Sequence, residues 1–144
     1  EMASEKVIIL STHILEEVDA VCTRSIIIAK GSKIFDGTPN ELLAQSDRHG
    51  VVSLDVAKDD AGVCSGTLSE LEGVNKVITV DRSDEKWRTL EVKPKGTEGL
   101  YPLIAKVTSD QNWNVKNLTV ERGRYDDVFR QLTLGDSNGK EKKS

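Results

Sequence analysis

The chain has 144 residues, enough for one ordinary domain or two small ones, with 37% apolar and 31% charged residues. Its net charge is −4 and neither half is basic, which excludes a nucleic-acid partner, because phosphate binding needs a clustered Lys/Arg surface. No apolar run approaches the ~20 residues that cross a bilayer, so direct membrane insertion is not expected.

Val7–Leu10 is a short, unbroken apolar run, as in a strand covered on both faces. Ser11-Thr12-His13 ends it. Ile14, Leu15, Val18, Val21 and Cys22 then recur at helical spacing, with Glu16, Glu17 and Asp19 early and Arg24 near the end. "IIIAKGSKIFDG" predicts a hairpin, with strands Ile26–Ala29 and Lys33–Phe35 and a turn at Lys30-Gly31-Ser32. "TPNELL" opens a helix: Thr38 is the N-cap, Pro39 the first helical residue, and Glu41 completes a capping box. Polar "SDRHG" follows as a linker.

The next stretch alternates. "VVSLDV" predicts a strand with Val52, Leu54 and Val56 inward, and Val63, Leu68 and Leu71 mark a short helix over 63–72. Strands follow at 74–81 and 87–93, the second with Leu90 and Val92 inward. Leu100, Leu103, Ile104 and Val107 have helical spacing, with Pro102 tolerated in the first turn. A strand over 113–122 changes phase, predicting a bulge near Asn117. This β-α-β-β-α-β order matches the ferredoxin-like split βαβ unit. Tyr125, Val128, Phe129 and Leu132 form the apolar side of a closing helix, and the polar tail "GDSNGKEKKS" is expected to be disordered. The fold class is therefore α/β (α+β). Residues 1–46 and 51–134 are the two domains, 47–50 a linker and 135–144 a tail.

The ordered set over residues 7–43 resembles the C-terminal end of the nucleotide-binding domain of an ABC transporter. It comprises an apolar strand, Ser-Thr-His, an acidic helix ending in Cys-x-Arg, a Lys-Gly hairpin and a Gly-Thr-Pro-x-Glu-Leu helix start. "YDDVFRQLT" is similar to the closing helix of subunits that drive drug, polysaccharide or lipid export and gliding-type systems, where the pattern is Leu-Glu-Asp-Val-Phe. Here Tyr125 and Asp126 stand for the Leu and Glu. The resemblance implies that His13 is the switch histidine contacting the ATP γ-phosphate, a group whose charge any such site must stabilise.

It also implies a parent that binds ATP and Mg, pairs with a second ATPase subunit as a homodimer, and works with a transmembrane permease subunit. The parent would sit in the cytoplasm at the inner membrane face. No GxxxxGK[ST], no Leu-Ser-Gly-Gly and no apolar strand ending in Asp-Glu occurs in the 144 residues. The expectation is a C-terminal fragment of the ATPase, with no cofactor and no hydrolysis of its own. Its own role would be regulatory or dimerising.

Other readings are weaker. His13 and Glu17 have i, i+4 spacing, but no HExxH and no third metal ligand accompany them. Paired catalysis by Glu16 and Glu17 fails because adjacent helical residues do not face each other. Base stacking by an RNA-binding sheet needs aromatics on its central strands, and only Trp87 lies on 74–81 or 87–93, at an edge. Trp87 and Trp113 read as packing residues. Cys22 and Cys64, far apart and outside any CxxC, are expected as free, buried thiols, and the N-terminus lacks a signal-peptide layout. The lysines of "GKEKKS" read as solvated charge rather than a lipid contact. A small-ligand sensor remains the alternative function for the second domain.

Overall fold

The computed structural model describes residues 6–82 and 84–134. The chain divides into two compact units. The first joins Glu1–Gln45 with Tyr125–Ser144, and the second is Ser46–Arg124. The class is mixed α/β with antiparallel sheets.

In the first unit, the expected strand at Val7–Leu10 does not form. Residues 6–12 have no regular structure, and Val7 and Ile9 are 91% and 90% exposed. A doubly covered strand needs a neighbour to take its backbone hydrogen bonds. The sheet of this unit is a two-stranded pair that leaves this segment out. Helix α1, Leu15–Val21, follows with Glu16 and Glu17 in its first turn, and ends where the Cys22 N–H donates to Val18 O at 3.1 Å. None of its residues is fully buried.

Strands β1, Ser25–Ala29, and β2, Ser32–Gly37, pair antiparallel. Ala29 opposes Ser32, so the loop is the two residues Lys30 and Gly31, at φ 50° and 76°. Positive φ at both central positions is what a right-twisted hairpin requires, and glycine meets it without strain. Ile27 faces Phe35 and Ile28 faces Lys33, so Ile34 is an inserted residue. Arg24, expected near the helix end, lies beyond it and donates from Nε to Asp36 Oδ1 at 2.8 Å. Lys33 Nζ reaches the other Asp36 oxygen at 3.0 Å, and the two cations hold the carboxyl at about 2.

Helix α2, Pro39–Leu43, starts with the expected capping box. The Glu41 N–H donates to Thr38 Oγ1 at 3.2 Å, and the Thr38 N–H donates to Glu41 Oε2 at 2.7 Å. These bonds lower the Glu41 pKa. Leu42 and Leu43 are buried. Helix α5, Tyr125–Leu134, contacts α1 and α2, and Val128 is its buried residue. It therefore groups with the first unit, rather than closing the domain 51–134 as its place in the chain led us to expect. Phe129, expected on the apolar side, is exposed.

The second unit runs β3 (Val52–Ala57), a 3-10 turn at Lys58–Asp60, α3 (Ala61–Ser69), β4 (Val74–Val80), β5 (Trp87–Pro94), α4 (Tyr101–Asp110) and β6 (Val115–Val120). The sheet order is β4-β5-β3-β6, antiparallel at every pairing. Val52, Leu54, Val56, Leu90 and Val92 project to one face and are fully buried with Cys64, Leu68 and Ile104 of the helices. Strand alternation predicts all five sheet positions.

Helix α3 starts two residues earlier than its periodicity indicated. Its buried stripe is Ala61, Cys64 and Leu68, spaced i, i+3, i+7, which leaves Val63 69% exposed. On α4, Ile104 and the preceding Leu100 are buried, while Leu103 is exposed. On β6, Asn117 opposes Asp55 and Val115 opposes Val56, so Lys116 is the bulged residue beside the expected Asn117. Both cysteines are free. Cys64 is buried, which raises its thiol pKa, but Cys22 is only half-buried.

Residues 47–50, expected as a linker, form a hydrogen-bonded turn: the His49 N–H donates to Ser46 O at 2.9 Å, and the Val51 N–H to Arg48 O at 3.2 Å. The expected tail at 135–144 lies outside the described residues.

Candidate functional site

His13 stands in the bend between the irregular segment 6–12 and helix α1, and it is exposed. The bend is shaped by the residue before it. Thr12 Oγ1 accepts the Ile14 N–H at 3.0 Å and donates to Glu17 Oε2 at 2.8 Å. Ile14 is the N-cap of α1 and has no capping side chain of its own. Thr12 therefore satisfies one of the free donors at the helix start, and Glu17 holds the hydroxyl in place. The His13 backbone is bracketed by these two bonds.

The arrangement presents an imidazole to solvent on a fixed turn. Either ring nitrogen can donate to or accept from a group brought to it, which is the chemistry a phosphate oxygen or water would need. Sequence reasoning placed His13 at the end of a buried strand, and that strand is absent here. It overlooked Thr12 and Glu17 as a pair. A hydroxyl two residues before the N-cap residue and a carboxylate five residues on was a legible but weak signal. Glu17 is engaged with Thr12, and among the described residues no group of three or more His, Cys, Asp or Glu is placed to hold a metal.

The second unit holds its own polar cluster on the sheet face opposite the core. Thr89 Oγ1 donates to Asp55 Oδ1 at 2.6 Å across β5 and β3. Glu91, 7% exposed, receives the Arg48 guanidinium through Nη2 to Oε1 at 2.8 Å and Nη1 to Oε2 at 3.3 Å. Arg48 also donates to Glu121, lowering that carboxyl's pKa. Nothing in the sequence pointed to this trio, whose members lie on three separate segments. Trp87 is half-buried with Lys116 Nζ 5.7 Å from its ring centroid, and Trp113 packs against the core. Trp113 is a packing residue, as its position suggested. No helix among the described residues is long and apolar enough to cross a membrane.

Comparison with known proteins gives a consistent set. The chain is 43% identical over 132 residues to the Nod factor export ATP-binding protein I of Ralstonia nicotianae, a match over 92% of this chain and 38% of that protein. It is 25% identical over 134 residues to the daunorubicin resistance ATP-binding protein DrrA3 of Streptomyces coeruleorubidus, over 93% and 40% respectively. A Nod factor export ATP-binding protein I of Cupriavidus pinatubonensis is 34% identical over 70 residues, covering 49% of this chain and 21% of that protein. The chain thus spans about two fifths of the two relatives it matches along most of its length. No family model and no solved structure matches it.

Proposed function

We propose, for a chain that is kin to the ATP-binding subunits of exporter-type ABC transporters, that it forms one portion of such a subunit. The parent couples ATP binding and hydrolysis to export through a separate membrane permease, and works as a pair of ATPase subunits at the inner face of the cell membrane. The observation that carries this reading is the 132-residue match to a Nod factor export ATP-binding protein, together with Ser11-Thr12-His13 running directly into an acidic helix.

Within the parent, His13 is the switch histidine. It is the one residue of this chain to which we assign a contact with ATP. Mg-ATP would supply the reacting phosphoryl group, and residues outside these 144 would cradle it. The exposed run Val7–Leu10, with Ile26 and Ile28 exposed on β1, is then apolar surface that the remaining ATPase domain covers.

The second unit is a ferredoxin-like accessory domain. Its β-α-β-β-α-β sequence and its order β4-β5-β3-β6 support that assignment. Its role is regulatory or dimerising, with self-association through a sheet edge, β4 or β6; the exposed Phe129 side of α5, in the first unit, is the other contact surface. Light scattering over a concentration series tests this: a strict monomer at high concentration counts against it.

The test of the whole reading is His13→Ala in the full ATPase subunit. Loss of one transition-state hydrogen bond lowers turnover on the order of 10²-fold. Turnover close to wild type removes the assignment.

A further inference from the structure

The second unit, Ser46–Arg124, interrupts the first, because α5 returns to the first unit immediately after Arg124. The chain therefore crosses between units twice, at Gln45–Ser46 and at Arg124–Tyr125. We infer that Ser46 and Arg48 clasp the two ends of the second unit to each other, so that residues 46–51 and 121–124 hold and open as one element rather than as two independent strands.

Four sets of bonds, all within the second unit, carry the inference. Ser46 Oγ accepts the Arg48 N–H at 3.2 Å and the Arg124 N–H at 3.1 Å, so one buried hydroxyl receives both crossings. Next to it the backbones are zipped: the Gly50 N–H donates to Glu121 O and the Glu121 N–H to Val51 O, each at 2.9 Å. His49 Nδ1 lies 2.8 Å from Arg122 O. Finally, the Arg48 guanidinium spans from the first crossing to Glu121 on the second and to Glu91 on central strand β5.

A fork bound to two carboxylates is among the strongest geometries available to a side chain, and a lysine cannot reproduce it. Gly50 and Gly123, at φ +74° and +99°, supply the left-handed backbone that lets each segment turn beside the other. A flexible linker needs none of this. Glu91 lies on a strand paired on both sides, so the clasp is fastened to an interior strand of the sheet.

Amide hydrogen exchange on the whole chain tests the clasp. In Arg48→Ala, the amides of Gly50, Glu121 and Arg124 should exchange about tenfold faster or more, together, while the β3–β5 ladder keeps its protection. Exchange unchanged at those three positions overturns the inference. Acceleration of one crossing without the other does so too, as does equal acceleration of the β3–β5 ladder, which would make Arg48 a general stability residue. Should Arg48→Ala fail to fold, Arg48→Lys is read in the same way: it retains the charge without the fork, so both crossings must still loosen.

Discussion

The Thr12 hydroxyl donates to the Glu17 carboxylate at 2.8 Å while accepting the Ile14 amide, so one side chain ties the turn bearing His13 to the first turn of α1. Removing it should loosen both. Thr12→Val loses roughly 1 kcal/mol of helix-start stabilisation, equivalent to about fivefold faster amide exchange at Cys22, whose N–H closes the helix. Thr12→Ser keeps the hydroxyl and should restore protection. Equal exchange in Thr12→Val and wild type would show that the bond contributes nothing.

The capping box of α2 should be worth a similar amount. Thr38→Ala is expected to destabilise the first unit by about 1 kcal/mol, because Leu42 and Leu43 are buried only if the helix starts at Pro39. Urea denaturation monitored by circular dichroism checks this. A midpoint unchanged from wild type contradicts it.

Core position should separate two leucines that look alike in sequence. Leu90 is fully buried in the central strand β5, and Leu90→Ala should cost about 2–5 kcal/mol. Leu103, exposed on α4, should cost under about 0.5 kcal/mol on the same change. Comparable losses at both sites would mean that the exposed face of α4 is covered in solution.

Acid should weaken the fold through three carboxylates. Asp36, Glu41 and Glu121 all have folded pKa values below their unfolded ones, through bonds to Arg24 and Lys33, to Thr38, and to Arg48 respectively. The stability they add is complete above about pH 4.3 and fades as pH falls through the folded values, about 2 for Asp36. Asp36→Asn and Glu121→Gln should each flatten the acid limb of a stability–pH profile. Profiles parallel to wild type in that window refute the linkage.

Sheet alternation is a local signal, and it placed Leu54, Leu90 and Val92 in the core without reference to any other part of the chain. Turn chemistry is equally local, so Lys30-Gly31 and the Thr38–Glu41 box were legible too. The failures share a cause of another kind. Whether Val7–Leu10 becomes a strand depends on a neighbour, and apolarity alone does not provide one. Whether α5 joins the preceding domain or an earlier one depends on which elements it meets, and it meets α1 and α2. The Arg48 trio depends on three segments brought together by pairing, and no short window of sequence contains it. For the candidate site, a motif resemblance singles out His13 as an expectation, while the bonding of Thr12 to Glu17 and to the Ile14 amide is given by the geometry.

The adjacency of Gly50 with Glu121 also bears on how such a chain can change over generations. A cassette whose two ends already touch demands almost no loop closure from its host, and closure entropy grows only slowly with what is enclosed. The host helices α2 and α5 would tolerate a longer insert, a shorter one or a different one in the same slot. Divergence should therefore run faster inside the cassette than around it.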